Sequence, residues 1–429
     1  MKAGTRPALR VGKNALARFS AQAWAKLFSL ATVALTARYE DAAGLGRYVL
    51  ILTVVGIVEA LSDLGLNIFL TREAARDAGR ERQRDLLGTA LPLKVGLSVA
   101  GYAGLVLVAA LAPFPAATRR LLPLGGLVLL PNAVTGAMGA IINGRQRMEV
   151  TGLLSMGVRL VAVAGAFWSL AAGLGVAGVL GWTVGAGLLG ALLHGAVLWR
   201  WGLLPRLRWD PAAWRACLAE VYPFALTSII AMAYARLDLV LLGLWKGEAV
   251  AGWYGAAYKL WQTVGLLPAS LLDAMFPEMS RLSEGREGLQ RLRALFGMSG
   301  RAMLAGGILL AAGGTLGAGG LIPLVFGPGE QTAPAVPVFQ LLVWAIPAMF
   351  LYLLSGHTLY ALGKQRRVTG AMAVAGVVNV ALNVALIPRW GGLGAGAVAL
   401  LSEWLLLTLL YPQARRALSA ELETCAGVL

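Results

Sequence analysis

Residues 151–198 read TGLLSMGVRLVAVAGAFWSLAAGLGVAGVLGWTVGAGLLGALLHGAVL and contain one charged side chain, Arg159. A helix needs about 20 predominantly apolar residues to cross the roughly 30 Å hydrocarbon core of a bilayer. The stretch is long enough for two such helices, with the glycines of Gly173-Leu174-Gly175 between them. It predicts a pair of membrane-spanning helices, 151–172 and 176–198.

The composition of the whole chain agrees with that prediction. Of the 429 residues, 58% are hydrophobic and 14% are charged, and the mean hydropathy is +0.71. Ordinary soluble domains are about 45–50% apolar and about 25% charged. The chain is therefore predicted to be a polytopic membrane protein, which excludes disorder, a coiled coil and a disulfide scaffold. Two cysteines and two histidines predict neither a disulfide framework nor a metal site.

Twelve apolar stretches are long enough to span a bilayer. The basic N-terminus lacks a small-residue cleavage site after a short apolar core, so the first stretch is predicted to be a permanent helix. The predicted spans are 15–37, 48–70, 86–112, 121–143, 151–172, 176–198, 217–244, 250–276, 297–325, 335–361, 368–387 and 393–411.

The basic residues are distributed unequally between the two sides of the predicted membrane. Connections on one side, with both termini, carry 25 Lys and Arg, against 6 on the other side. The positive-inside rule then places both termini in the cytoplasm. The net charge of +16 thus reflects topology, and it does not indicate nucleic-acid binding. Because the outward connections are short, an enzyme that needs a folded external domain is not expected.

The sequence repeats itself once. Gly144–Arg147 matches Gly363–Arg366, and Gly173–Gly175 matches Gly392–Gly394 at the same offset of 219 residues. Six spans in each half make the repeat parallel, an arrangement that transporters use with the substrate site at the repeat interface. The predicted organisation is a six-helix bundle over 1–198, a cytoplasmic linker over 199–216 and a second six-helix bundle with a short tail over 217–429.

Polar side chains follow one face of the first span. Asn14, Arg18, Gln22 and Lys26 recur every four residues, which places them on one side of a helix. Charged side chains inside a membrane normally face a water-filled cavity or a partner. We expect a cavity along this face, and the alternative is a buried structural network.

Other spans carry polar candidates as well. Arg159, Tyr234, Tyr258, Lys259 and Gln262 suit a cavity role, whereas Glu59, Asp63, Asp238 and Asp273 suit either ion coupling or pairing with cations across helices. Asn379, Asn383 and Glu403 suit interhelical hydrogen bonds, and His194 and His357 suit packing. Pro268 and Pro347 lie inside spans and are candidate hinges.

Four segments resemble one family. They are YARLDLVLLGLWKGEAVAGWYGAAYKLWQTVGLLPASLLDAMFPEMSRL (Tyr234–Leu282), SDLGLNIFLTREAAR (Ser62–Arg76), GKQRR (Gly363–Arg367) and NVALNVALIPRWGGLGAGAVALLSE (Asn379–Glu403). The chain is similar over its whole length to polysaccharide-biosynthesis flippases, the Wzx-like branch of the MOP superfamily.

The resemblance implies a fold class and an activity. The fold is an all-α polytopic membrane protein whose 12 transmembrane helices form two pseudo-symmetric six-helix bundles around a central cavity. The activity is translocation of undecaprenyl-diphosphate-linked oligosaccharide, such as an O-antigen repeat unit, to the outer leaflet of a bacterial or archaeal cytoplasmic (inner) membrane. Lipid II flippases of the superfamily tend to have two further helices, which argues against that cargo.

The residue chemistry fits such a cargo. Arg18, Lys26, Arg159 and Lys259 would bind the diphosphate. The side chains that would contact sugars are Gln22, Tyr234, Tyr254, Tyr258, Trp261 and Gln262. No cofactor is expected beyond H⁺ or Na⁺ coupling, and polysaccharide assembly machinery is a candidate partner. The alternative function is a cation-coupled multidrug exporter of the same superfamily. A membrane enzyme such as a sugar polymerase and a non-transporting envelope scaffold are weaker alternatives.

Overall fold

The computed structural model describes residues 23–77, 79–329 and 332–426, without the side chains of 222–231, 233, 235, 425 and 426. The described part of the chain is helical between short turns and contains no strand, which confirms the predicted all-α fold. The helices of the first half are α1 (23–39), α2 (Ala42–Asp63), α3 (Leu66–Arg76), α4 (Arg80–Leu111), α5 (Ala116–Gly126), α6 (Leu129–Gly144), α7 (Met148–Ala171) and α8 (Gly175–Arg200).

The second half has the same character. Its helices are α9 (Pro211–Trp245), α10 (Glu248–Val264), α11 (Leu266–Leu282), α12 (Arg286–Phe326), α13 (Ala335–Val343), α14 (Ile346–Ala361) and α15 (Gln365–Ala426). The last helix covers the eleventh and twelfth predicted spans. A non-helical residue, Gly391 (φ 55°, ψ −129°), separates the two spans within it. That backbone conformation is essentially restricted to glycine.

The length and surface of these helices fit a bilayer. Six described helices are long and apolar enough to cross a membrane, α5 with α6 (Ala116–Gly144) makes a seventh span, and α13 with α14, bent by 41°, makes an eighth. Large apolar side chains are exposed along them, for example Leu153 at 70%, Leu192 at 71% and Leu316 at 88%. Continuous apolar exposure is unfavourable in water, so these surfaces are the ones expected to face lipid.

Four of the predicted spans are broken into two helices, and the breaks fall at equivalent places in the two repeats. In the first half the second span breaks at Leu64–Gly65 and the fourth at Leu127–Val128. In the second half the eighth span breaks at Gly265 and the tenth at Trp344–Ala345. The repeat that short sequence matches predicted is therefore also visible in where helices stop.

Prolines mark the start of the following helix at three of these breaks. Pro131, Pro268 and Pro347 all lie in the first turn of α6, α11 and α14, respectively. The first turn of a helix leaves its N–H groups without intrahelical partners, so a residue without an N–H costs little there. The break near Pro268 lies at Gly265, three residues before the proline, and the role of Pro268 as a hinge stays a prediction.

By contacts the chain divides into two compact units. The N-terminal unit is Met1–Met232 with Gly247–Ala249, and the C-terminal unit is Ala233–Lys246 with Val250–Leu429. Glu248 belongs to the N-terminal unit because its carboxylate accepts hydrogen bonds from the N–H (3.1 Å) and hydroxyl (2.5 Å) of Thr118. The contact division falls inside α9, so the predicted 199–216 boundary describes the sequence repeat and stays a prediction.

The predicted linker is attached to α4. The N–H of Arg208 donates to the carbonyl of Gly88 at 3.0 Å, and the indole N–H of Trp214 donates to that of Thr89 at 2.8 Å. A Cβ at Gly88 would lie 2.1 Å from the carbonyl oxygen of Arg206, so only glycine permits this approach. The 199–216 segment is thus held against the N-terminal end of α4, which is the end predicted to be cytoplasmic.

Candidate functional site

The N-terminal unit has a buried cation between two acceptors. The ammonium of Lys94, 3% exposed, donates to the carboxylate of Asp63 at 2.7 Å and to the amide oxygen of Asn67 at 2.5 Å. Gly136 lets this group in, since a Cβ there would lie 3.1 Å from Lys94 Nζ. Asp63 is therefore neutralised within its own unit.

The break in the second span makes this arrangement possible. Asp63 is the last residue of α2 and Asn67 lies in the first turn of α3, so the two acceptors belong to two helices although both lie in the single span predicted over 48–70. The left-handed conformations of Leu64 (φ 50°) and Gly65 (φ 84°) separate them. Lys94 on α4 joins the two helices, a contact that no spacing in the sequence indicated.

Glu59 and Arg159 occupy the same unit in different ways. The carboxylate of Glu59 accepts a hydrogen bond from the amide of Asn132 at 3.0 Å. Arg159 lies midway along α7, is exposed, and forms no ion pair with any residue in the described ranges. It feels the charge of Glu59 without contacting it. An exposed guanidinium at that depth needs water or an anion around it.

Of the polar stripe predicted in the first span, the structure covers one end. Asn14, Arg18 and Gln22 lie outside the described residues. Lys26 is described, half-buried in α1, and has an interaction partner. Asp63 pairs with Lys94 of α4 at 2.7 Å. Whether Arg18 and Lys26 bind cargo or pair with acids of the second span stays a prediction.

In the C-terminal unit, the two carboxyl groups buried within the predicted spans, those of Asp238 and Glu403, have tyrosine partners. Asp238 on α9, 8% exposed, accepts hydrogen bonds from the hydroxyl of Tyr254 and, at 2.7 Å, from the N–H of Leu239. Tyr254 is fully buried, and its ring lies 5.6 Å from that of Tyr258. Tyr254 is thus a structural partner of Asp238.

Glu403 is the second buried carboxyl of this unit. It is 4% exposed, and its Oε1 accepts a hydrogen bond from the hydroxyl of Tyr234 at 3.3 Å. Tyr352 on α14 faces the same carboxyl. The other oxygen, Oε2, is buried and has no hydrogen-bond partner among the described residues. Glu403 was expected to join helices. Its burial beside tyrosine hydroxyls, with one oxygen lacking a described partner, is a setting that this role alone does not predict.

One of the two asparagines of the eleventh span joins it to the next span. The amide of Asn379 donates to the hydroxyl of Ser402 at 2.9 Å across the Gly391 break. Asn383 donates to Asn379 at 2.9 Å from one turn away in the same span. All three side chains are buried. The predicted interhelical role is confirmed for Asn379, whereas the described hydrogen bond of Asn383 stays within its own span.

The remaining candidates of α10 and α11 are distributed over two places. Tyr258, Lys259 and Gln262 are half-buried on α10, and each has an interaction partner. Asp273 on α11 is 74% exposed and lies 3.6 Å from Nε2 of His357 on α14. His357 therefore has an acidic neighbour as well as the packing role expected for it.

The chemistry available is recognition and charge exchange. Within the described residues no three His, Cys, Asp or Glu side chains approach closely enough to hold a metal ion. The described polar groups are hydrogen-bond donors, single cations and buried acids, which can bind and release a ligand or an ion without forming covalent bonds.

Comparison with known proteins decides the family. A family model described as polysaccharide biosynthesis protein matches residues 11–283, which is more than half of the chain. The chain belongs to that family. Its members and the matching folds are transporters and flippases, not enzymes.

Individual relatives agree with this family. A probable flippase, AglR of Haloferax volcanii, is 25% identical over 195 residues, which cover 44% of this chain and 40% of that protein. The match thus spans less than half of the length of that curated relative. It supports the resemblance to flippases that the sequence segments indicated.

Solved structures establish the fold. A lipid II flippase MurJ in an inward closed conformation superposes with a TM-score of 0.74 at 12% identity and covers 96% of this chain and 90% of that one. An inward-facing multidrug resistance MATE transporter of the MOP superfamily gives 0.72 at 13%, with 93% and 95% covered. The polysaccharide biosynthesis family member therefore has the fold of MOP-superfamily transporters.

Proposed function

We propose that this protein flips polyprenyl-diphosphate-linked oligosaccharide from the cytoplasmic to the outer leaflet of a cytoplasmic membrane by alternating access. The observation that carries the proposal is Arg159. A mid-span guanidinium that is exposed and without an ion-pair partner among the described residues suits a diphosphate, which it can bind through two parallel hydrogen bonds. Membership of a polysaccharide biosynthesis family supports a sugar-bearing cargo.

Other side chains have proposed roles in the same transport. Arg18, Lys26 and Lys259 assist Arg159 with the diphosphate, and Gln22, Tyr234, Tyr258 and Gln262 contact sugars through hydrogen bonds and ring faces. A negative-inside membrane contributes about 2.3 kcal/mol per charge per 100 mV to outward movement of the diphosphate. Of the four acids predicted to suit ion coupling, Glu59, Asp238 and Asp273 remain the candidates for carrying an ion during the return step, whereas Asp63 is paired with Lys94.

Substitutions of Arg159 test the proposal. Arg159→Ala should insert and fold but lose flipping of a fluorescent polyprenyl-diphosphate oligosaccharide in proteoliposomes, and Arg159→Lys should retain part of it. Arg389→Ala, which removes an arginine predicted to face outward, is the matched control and should flip normally. Normal flipping by Arg159→Ala would remove the observation on which the proposal rests.

A second candidate is a cation-coupled multidrug exporter, which the structural match to a MATE transporter favours. An exposed mid-span arginine is unfavourable for organic cations, so we rank this function lower. Expression in a dye-sensitive strain separates the two: protection from cationic dyes supports an exporter. Complementation of a strain that lacks its oligosaccharide flippase supports the first proposal, including an O-antigen or other lipopolysaccharide repeat unit as cargo.

The proposed orientation places both termini in the cytoplasm, as the distribution of basic residues predicts. Cysteines introduced at Ala43 and Gly329, after replacement of Cys217 and Cys425, should react with an impermeant thiol reagent added to intact cells. Reaction only after lysis would reverse the orientation.

A further inference from the structure

Asp63 and Glu403, two carboxyl groups within the predicted spans, have different neighbours, and the difference points to a function for Glu403. Asp63 has a full cation, Lys94, at 2.7 Å. Glu403 is more deeply buried, at 4% exposed, and no described Lys, Arg or His forms an ion pair with it. An isolated carboxylate removed from water is so unfavourable that the group takes up a proton instead.

The groups that face Glu403 from α9, α10 and α14 are neutral hydroxyls. Tyr234 of α9 donates to Oε1 at 3.3 Å, Tyr352 of α14 faces the same carboxyl, and Tyr258 of α10 lies near enough to be influenced by it. The undescribed side chains of α9, 222–231, 233 and 235, include no basic residue. Arg236 of α9 acts electrostatically on Asp238 and Tyr258, and it forms no ion pair with Glu403 among the described residues.

The second oxygen of the Glu403 carboxyl is the next observation. Glu403 Oε2 is buried and accepts no hydrogen bond within the described part of the chain. A carboxylate kept only for structure normally has both oxygens satisfied. An oxygen without a donor is the position where a carboxyl proton resides, while the hydroxyl of Tyr234 remains a donor to the other oxygen.

Tyrosine hydroxyls also make the proton removable. When the carboxyl is neutral, Tyr234 and Tyr352 are weak donors to it; when it is ionised, the same hydroxyls stabilise the negative charge, because hydrogen bonds to charged groups are stronger than those to neutral ones. An aliphatic pocket would hold the proton permanently, and a lysine would exclude it permanently. Beside tyrosine hydroxyls the carboxyl can therefore both hold and lose its proton.

We propose that Glu403 is a reversible proton-binding site of the C-terminal unit, and that its proton is carried inward during the return step of the transporter. The proton leaves the carboxyl as H⁺ to water and is replaced from water, so the step needs no other reactant. Its role in transport rests on the proposed flippase function, whereas proton binding itself does not.

The direct test is the infrared carbonyl band of a protonated carboxyl in the purified protein. The wild type should show this band at neutral pH and lose it as the pH is raised, and the difference spectrum against Glu403→Gln should assign the lost band to Glu403. Asp63→Asn is the matched control: Asp63 is paired with Lys94, so its difference spectrum should show a carboxylate band.

The outcomes are decisive without any cargo. A Glu403 difference spectrum that shows carboxylate at neutral pH overturns the proposal, as does a protonated band that persists at every pH at which the protein stays folded. The titration of the wild type needs no variant. Should Glu403→Gln not fold, Glu403→Asp assigns the band by shifting it.

The transport role has its own readout. In proteoliposomes at fixed membrane potential, an imposed pH gradient should change the wild-type flipping rate of the fluorescent polyprenyl-diphosphate oligosaccharide several-fold and leave Glu403→Gln unchanged. A pH-gradient response retained by Glu403→Gln rejects the transport role. If the wild type flips no probe, the flippase function fails while the infrared result still decides proton binding.

Discussion

In the N-terminal unit the carboxyl of Asp63 lies 2.7 Å from the ammonium of Lys94, whereas in the C-terminal unit the carboxyls of Asp238 and Glu403 face tyrosine hydroxyls. The two halves share their pattern of broken spans, so the difference is one of side chains on similar scaffolds. A carboxyl beside a lysine has a fixed charge. One beside a tyrosine can be ionised or neutral, depending on its surroundings.

The largest expected effect comes from breaking the ion pair. Lys94→Met leaves Asp63 without its cation in a largely buried position, which should cost about 3 kcal/mol of stability. Thermal unfolding of the detergent-solubilised protein measures it. The double variant Lys94→Met with Asp63→Asn removes both charges and should recover most of the loss. A double variant as unstable as the single one would show that Lys94 acts through packing and not through charge.

The spans of both units could be predicted from the sequence because the hydrocarbon core imposes a length on apolar helices. The breaks could not: Leu64 takes a positive φ without being glycine, and no local signal requires a helix to stop there. The Lys94–Asp63 contact depends on how three helices meet, which a one-dimensional pattern does not contain. Glu403 was recognisable as a polar residue in a span, yet its tyrosine partners come from helices far away in sequence.

A smaller effect is expected from the buried tyrosine of the C-terminal unit. Tyr254→Phe removes the hydroxyl that donates to Asp238 and leaves a buried carboxyl oxygen without that partner, at a cost of about 2 kcal/mol. The same unfolding experiment measures it. Tyr360→Phe alters a hydroxyl on a half-exposed ring of the same unit and should stay within about 0.5 kcal/mol of wild type. Equal losses of stability in Tyr254→Phe and Tyr360→Phe would mean that the hydrogen bond from Tyr254 to Asp238 does not stabilise the protein.

The hydrogen bond across the Gly391 break should matter less, because polar contacts between membrane helices average only about 0.6 kcal/mol. Ser402→Ala removes the acceptor of the Asn379 amide and should destabilise the protein by roughly that amount. Ser270→Ala is the control, since its exposed hydroxyl bonds only to the carbonyl of Leu267 within its own helix. A loss well above 2 kcal/mol would indicate that Ser402 also positions Glu403.

The smallest change in stability, and the one that sharpens the comparison most, is Tyr234→Phe. Its hydroxyl donates to Glu403 over 3.3 Å, a long bond, so its loss should cost no more than about 0.6 kcal/mol. Yet the infrared carbonyl band of Glu403 should move, because a carboxyl that loses a donor has a stiffer C=O bond. Asn132→Leu, which removes the donor to Glu59 in the N-terminal unit, should leave the Glu403 band in place. A Tyr234→Phe protein with an unshifted band would show that the tyrosine does not control the charge of Glu403. The contrast between a fixed charge in one unit and an adjustable one in the other would then depend on Tyr352 alone.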